Sequence, residues 1–578
     1  MCMLDHAIRV QSARSPVQSD TPSTRESDER EPASDVPVAR NAADSCGLYH
    51  AARNQHDEVP TMRLSILQLT LSVVLLLPFA AKADQARTES GVLEGGRAGP
   101  IHSFHGIPFA APPVGPLRWR PPQPAASWVG ARDATQPAPA CLQKGVSMPG
   151  EAVPPMSEDC LYLNVWTPSL DPSAPMPVMV WIHGGGFTNG NASMDLHQGD
   201  KIAARGVVVV SVAYRLGAFG FLAHPELSRE SPQHSSGNYG LLDQVAALKW
   251  VQRNISSLGG DPGRITIAGQ SAGAMSVSIL MASPLAQGLF SGAIGQSGGF
   301  FEPVQLAPRF LLANAEEDGI AFARSVGAPS IVQLRQMSPQ VILSAKGHKI
   351  SHPVIEPLVL PRPPHDVFSA RNQARVPLLL GVNADEARSL SDMSAVTSTG
   401  FRDDITRAFG PLPPALLDAY PHATDTEAQQ ARADFESDLR FGWNMWAWAR
   451  LHAAHGGNKV FSYRFQKSPP YPNDSIYRSW RAGHFAELWY MFGNLEQQRW
   501  NWRREDEDLS SRMISYWTNF VKTGNPNGQG LASWPQHHDA KGPLLTLGNE
   551  IQPGIPDRLP ALETFDSVYG SLRQQPIR

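Results

Sequence analysis

Cysteine is scarce in this 578-residue chain. It has four, Cys2, Cys46, Cys141 and Cys160. None has CxxC spacing or a plausible set of zinc partners, which argues against a structural metal centre or a disulfide-dense scaffold. An excess of charge of either sign is also missing. There are 49 Lys and Arg against 53 Asp and Glu, a net charge of −4, which excludes the basic footprint of a nucleic-acid binder. No polybasic patch marks a membrane surface site. After residue 61 there is no internal repeat and no low-complexity tract.

What is present is ample apolar material. Hydrophobic residues make up 42% and charged residues 18% of the chain, enough for a large core. Pro and Gly, at 51 and 48, fit a loop-rich surface. The length admits several domains or one large domain with insertions, so the pattern along the chain decides.

One run stands apart. Met62-Arg63 is followed by Leu64 to Ala81 without a charged side chain, and Ala81-Lys82-Ala83 offers small residues at both recognition positions of a signal peptidase site. This is the layout of a secretory signal, and the run is short for a membrane span. We expect residues 62–83 to be a signal peptide, the mature chain to start at Asp84, and the protein to be exported without a stable membrane anchor. Residues 1–61 are polar and aperiodic; the reading is a mis-assigned start or a disordered extension, outside the fold. Cleavage leaves only Cys141 and Cys160, which in an exported protein suggest one disulfide, two buried thiols being the alternative.

From residue 84 to 578 we expect a single catalytic domain. Val178–Ile182, Val207–Val212, Ile265–Ala268, Ala293-Ile294, Val376–Val382 and Val460–Phe465 are short apolar runs of strand length. Asn238–Ile255 carries a helical stripe of Leu241, Leu242, Val245, Leu248 and Val251. Fully apolar strands alternating with helices imply an α/β fold, a mostly parallel central sheet with helices on both faces. Such sheets carry sites at the C-terminal ends of their strands. Helical insertions at about 300–354 and 389–458 are expected to cover the site.

Gly269-Gln270-Ser271-Ala272-Gly273 lies between a strand and a helix, the setting in which G-x-S-x-G presents an exposed nucleophilic serine. His183-Gly184-Gly185-Gly186 follows an upstream strand and suits an oxyanion-binding loop. No Lys-Ser/Thr pair follows it, which argues against a phosphate loop. A base and an orienting acid must follow the serine. His348, His352, His365, His422, His452, His455, His484, His537 and His538 are candidates for the base, and His484 stands out for Gly483 before it and the apolar run after it. The strand ending in Asn383-Ala384-Asp385-Glu386 offers two carboxylates. Spacing alone selects neither partner.

The chain from about Gly91 to Tyr569 resembles the type-B carboxylesterase family, which includes the cholinesterases. The resemblance rests on Phe104–Phe109 with Pro112–Gly115, Glu158–Val165, Asn238–Gln244, Gly259–Pro262 leading to Ser271, Gly381–Glu386, Ala482–Leu488, and Tyr516–Phe520 with Thr523–Asn527. It implies an α/β-hydrolase fold and a triad of Ser271, Glu386 and His484. It also implies oxyanion donors at the amides of Gly185, Gly186 and Ala272, a disulfide between Cys141 and Cys160, and an oxygen-bonding serine at Ser297 behind the glutamate. The implied activity is hydrolysis of small-molecule carboxylic esters through an acyl-enzyme, with no cofactor and no metal. Ala387 and Phe485 depart from the family's usual small residues, and Phe485 is placed to narrow the pocket.

Two other readings are open at this level. A specialised esterase for feruloyl-like aromatic acyl groups would use Trp443, Trp446 and Trp448 as pocket lining, although tryptophans at helical spacing also read as core. A non-catalytic binding protein would have lost the nucleophile, whereas all three triad positions here hold competent residues.

In cholinesterases the loop closed by the matching disulfide carries a tryptophan that holds the choline cation by its ring face. No aromatic residue stands between Cys141 and Cys160. Choline esters should therefore show a lower kcat/KM than neutral esters of similar size, and a preference for choline esters would contradict this reading.

Overall fold

Strands buried on both faces alternate their side chains between two cores, and the apolar runs divide in this way. The computed structural model describes residues 84–145, 154–345, 350–454, 457–539 and 541–577; the expected signal segment and residues 1–61 lie outside them. In the strand Met176–Ile182, Val178, Val180 and Ile182 enter one core, while Met179 and Trp181 enter the other. Val208 and Val210 are likewise separated from Val209, and Leu378 and Leu380 from Leu379.

These strands form the middle of a 13-stranded sheet. Val208–Val212, Met176–Ile182, Gly260–Gln270, Gly292–Gln296, Leu378–Asn383, Val460–Phe465 and Leu544–Leu547 lie side by side in that order, all parallel. Antiparallel strands extend both edges, among them Ile101–Pro108 and Tyr162–Thr167 on one side and Ile551–Gly554 on the other. The first described strand, Asp84–Thr88, pairs with Gly91–Ala98. The protein is thus an α/β-hydrolase-type molecule with a mostly parallel central sheet.

Helices close both cores. Tyr239–Asn254 buries Leu241, Val245, Leu248 and Val251 against one face, together with Ala272–Ala282 and Trp443–Ala453. Ala486–Phe492 and the 20-residue helix Arg504–Thr523 cover the other. Trp443–Ala453 lies in a segment expected to form a cover over the site. It packs instead against Leu378–Asn383 and Val460–Phe465 as a layer helix, because its tryptophans fill the space under the sheet. Trp443 meets Tyr569 edge-on at 4.6 Å, and Trp448 packs beside Phe301.

Charges inside this frame are paired. Arg215, just after Val208–Val212, makes a two-pronged contact with Asp243 on the helix Tyr239–Asn254, at 2.8 and 2.7 Å. Arg118 does the same with Glu158 at 2.6 Å on both prongs, and its remaining N–H groups donate to the carbonyls of Leu334 and Met337. Planar bidentate geometry of this kind is what arginine offers over lysine.

Cys141 and Cys160 are disulfide-bonded. Closing a loop of about 20 residues is worth roughly 3 kcal/mol in the chain-entropy account. A Cys141→Ser, Cys160→Ser double variant should lose stability of that order, read from urea unfolding as a lower midpoint with a slope that rises as the unfolded chain is released.

Candidate active site

The strand Gly260–Gln270 ends one residue before Ser271, and the helix Ala272–Ala282 begins one residue after it. Ser271 takes φ 56° and ψ −123°, a conformation that costs a side-chain-bearing residue on the order of 1–3 kcal/mol. Its amide donates to the Gln296 carbonyl at 2.8 Å, and its carbonyl accepts from the Met275 amide at 2.9 Å. The turn fits only because its neighbours lack side chains. A Cβ on Gly184 would stand 2.8 Å from the Gln270 carbonyl oxygen and 3.0 Å from the Ser271 Cβ, and one on Gly269 would stand 2.9 Å from the Ile182 carbonyl oxygen.

The glycine run after Met176–Ile182 therefore lies directly against the serine turn. Gly185 and Gly186 have φ of 102° and 61°, and the Gly185 carbonyl accepts from the amides of Thr188 and Asn189. Gln143 pins the far end of this loop, donating to the Gly190 carbonyl at 2.9 Å and accepting from its amide at 2.7 Å. Since Gln143 is two residues from Cys141, the disulfide segment and the glycine loop are mechanically joined. His183 at the loop's start stacks on Tyr214 with ring centroids 4.4 Å apart, and burial pushes its pKa down to about 4. Ala272 opens its helix with no side-chain cap, so its amide is one of the unpaired first-turn donors of a helix.

Glu386 and His484 meet in the interior. The Glu386 Oε2 atom lies 2.6 Å from His484 Nδ1, with the two side chains 1% and 2% exposed. The other oxygen, Oε1, accepts from the Asn383 amide at 2.7 Å. Ser389 ties the two segments a second time: its hydroxyl accepts from the His484 amide at 2.8 Å and donates to the Glu386 carbonyl at 3.2 Å. Phe441 stacks on the imidazole at 4.3 Å and Phe485 meets it edge-on at 4.6 Å, so Phe485 serves as a wall of the histidine. Asp385, one residue before the glutamate, points elsewhere. It lies 3.1 Å from Arg388 and 3.8 Å from Arg481.

With Nδ1 facing a carboxylate, Nε2 is the free face of the ring. Its recorded neighbour is the Gln270 side-chain amide at 3.4 Å, the residue before Ser271. No hydrogen bond joins Ser271 Oγ to the imidazole among the described residues. Such contacts are often long in unliganded sites and tighten when substrate is bound. Ser297, expected to bond the glutamate, is fully buried with φ 51°, and its hydroxyl has no partner among the described residues.

Three of the other candidate histidines are held by contacts away from this pair. His348 and His455 lie outside the described residues. His452 Nε2 contacts the Val376 carbonyl at 2.8 Å, His422 stacks on Phe401, and His537 Nδ1 contacts Ser462. Sequence reasoning missed Gln270, Gln296, Asn383, Ser389, Phe441 and Glu487. Three of them had a signal in their placement, Gln270 beside the serine, Asn383 three residues before the glutamate and Glu487 three after the histidine.

Two spaces adjoin the pair. A cavity of about 70 Å³ lies behind Glu386, lined by Gly381, Val382, Met445 and Trp446 among others, but by neither Ser271 nor His484. A groove of about 610 Å³ is lined by Arg388, Ser389, Gln430, Trp480 and Arg481. The groove is likewise lined by neither Ser271 nor His484, and it meets the histidine segment through Ser389, whose hydroxyl accepts from the His484 amide. Trp443 and Trp448 line neither space. Among the described residues no group of His, Cys, Asp and Glu is arranged to hold a metal.

Comparison with known proteins bears on what this arrangement does. The family model described as "Carboxylesterase family" matches residues 82–559. The fumonisin B1 esterase of Sphingopyxis macrogoltabida is 35% identical over 497 residues, covering 83% of this chain and 89% of that protein. The para-nitrobenzyl esterase of Bacillus subtilis (strain 168) is 35% identical over 491 residues, covering 80% and 94%. Among solved structures, a PNB esterase superposes with a TM-score of 0.72 at 33% identity, covering 84% of this chain and all of that one.

The geometry separates the two adjacent carboxylates. Glu386→Gln removes the charge facing Nδ1 and allows the amide to hold the imidazole in the wrong tautomer; kcat on an activated ester should fall by about 10⁴, as for the corresponding change in a serine protease. Asp385→Asn should leave kcat nearly intact, with its effect confined to the contacts with Arg388, Arg481 and the Ala482 amide. A well-folded but crippled Asp385→Asn enzyme beside an active Glu386→Gln enzyme would reverse the assignment.

Proposed function

The chain belongs to the carboxylesterase family, and we propose that it hydrolyses small-molecule esters through an acyl-enzyme on Ser271, with His484 as base and Glu386 as its orienting acid. The observation that carries this reading is the buried 2.6 Å contact between His484 Nδ1 and Glu386 Oε2, which leaves Nε2 facing the segment that bears the serine.

Ser271 Oγ attacks the acyl carbon while its proton passes to His484 Nε2. The carbonyl oxygen takes the negative charge and is met by the amides of Gly185, Gly186 and Ala272 as preorganised donors. The bond from acyl carbon to alcohol oxygen then breaks, and His484 returns the proton to the departing alcohol. Water repeats the sequence on the acyl-enzyme, giving up a proton to His484 and releasing the acid as Ser271 Oγ is reprotonated. Throughout, Glu386 accepts from Nδ1–H and stabilises the imidazolium.

Export belongs to the same proposal. The 62–83 segment directs the chain out of the cytoplasm and cleavage leaves Asp84 first. The Cys141–Cys160 disulfide supports an oxidising destination. Among the described residues no helix is long and apolar enough to cross a membrane.

Ser271→Ala should lower turnover by a factor on the order of 10⁶ without unfolding the protein, since the nucleophile of a serine hydrolase acts as one unit with its base. A phosphonate probe followed by peptide mapping should label Ser271 alone; label on Ser297 would overturn the assignment.

A further inference from the structure

A second carboxyl group lies inside the site, and the steps above do not use it. Glu487 is fully buried in the first turn of the helix Ala486–Phe492, three residues after His484. Its Oε2 atom accepts from Asn383 Nδ2 at 2.5 Å and its Oε1 atom from Gln296 Nε2 at 3.2 Å. Both donors are bound to the machinery. Asn383 Nδ2 also donates to the Gly483 carbonyl at 2.8 Å, beside His484, and the Asn383 backbone amide donates to Glu386 Oε1. The Gln296 carbonyl accepts from the Ser271 amide, and its side-chain oxygen is fixed by Trp517 Nε1 at 3.0 Å. One carboxyl thus touches the segments that set Ser271, Glu386 and His484.

We propose that Glu487 is a positioning residue of the hydrolytic site, a buried clasp whose carboxyl fixes Asn383 and Gln296 and through them the segments that carry Ser271, Glu386 and His484. The proposal rests on the Ser271–His484–Glu386 reading.

The clasp works as a neutral acid. No Lys or Arg pairs with Glu487 among the described residues. The titratable groups acting on it or responding to it are Glu386 from the segment after Leu378–Asn383, Tyr463 from the neighbouring strand and Tyr471 from the loop that follows, with His484 on its own segment. None of these is a fixed cation. Burial first, and then the nearby Glu386 carboxylate, push the Glu487 pKa up to about 8, as when two carboxyl groups share one site. A neutral carboxyl still accepts from two amides, so the clasp holds without a second buried negative charge beside Glu386.

This form separates geometry from charge. Glu487→Gln keeps one uncharged acceptor, its amide oxygen, but turns an NH2 toward the second donor, whereas Glu487→Ala removes both acceptors and leaves the side-chain amides of Asn383 and Gln296 without them. Steady-state kinetics on an activated ester should give Glu487→Ala a kcat reduced on the order of 100-fold, the scale of a misplaced catalytic group. Its KM should change little, and Glu487→Gln, with one of the two contacts kept, should lie between Glu487→Ala and the parent in kcat. Difference infrared titration of wild type against Glu487→Gln should reveal one neutral carboxylic acid band that disappears as pH rises through about 8. Phosphonate labelling of Ser271 and a thermal melt accompany each variant. A folded Glu487→Ala enzyme with wild-type kcat, or the absence of the neutral band, would overturn the clasp while Ser271 still labels. Wild-type protein that fails to label at Ser271 would overturn the triad itself, and the clasp with it.

Discussion

Ser271 sits at φ 56° and ψ −123°, and much of the surrounding structure holds it there. A serine in that conformation is strained by local sterics alone, so it persists only where contacts over-determine it. The Gln296 carbonyl holds its amide, the Met275 amide holds its carbonyl, and glycines at 184, 269 and 298 stand where any side chain would collide with the turn. The parallel register of Gly260–Gln270 with Gly292–Gln296 brings Gln296 alongside. The neighbouring register of Gly292–Gln296 with Leu378–Asn383 then brings the Glu386 segment to the same end of the sheet. Positions far apart in the sequence thus reach the serine through sheet register.

The parts legible in sequence are those with a local cause. Val178–Ile182 and Val460–Phe465 read as strands because a strand buried on both faces has no polar side, and they appear as Met176–Ile182 and Val460–Phe465. Tyr239–Asn254 follows its apolar stripe to within a residue of expectation at each end. The strand before the serine begins at Gly260 rather than Ile265, because Asp261-Pro262-Gly263 reads as a turn yet follows the sheet through an irregularity in its pairing with Met176–Ile182. The strand Leu544–Leu547 and the edge strand Ile551–Gly554 beside it were not legible. Edge strands in Pro- and Gly-rich sequence are defined by their partners more than by composition.

At the site, the pentapeptide around Ser271 and the glycine run carry their own signature. The choice of Glu386 over Asp385, and of His484 over the other histidines, came from resemblance. Neither choice has a local cause, since each depends on which side chain a distant segment can reach. Gln296, Asn383 and Glu487 are the same case in stronger form: they meet only as contacts between two strand ends and the first turn of a helix. The aromatic walls of the imidazole divide in the same way. Phe485 adjoins the histidine in sequence, while Phe441 arrives from a helix 43 residues away along the chain.

That helix is not regular. Between Asp425–Ser437 and Trp443–Ala453 runs a π-helical turn, Asp438–Gly442, which contains Phe441. A π turn holds one residue more than an α turn, and each residue rotates an α-helix by about 100°. The turn acts as a phase shifter between two helices on one continuous backbone. It lets Phe441 face the histidine while Trp443 and Trp448, two and seven residues later, face the sheet core. Deleting one residue here would restore ordinary helical winding and turn one of those faces away from its partner. Chain length, as distinct from residue identity, is thus under constraint at this point.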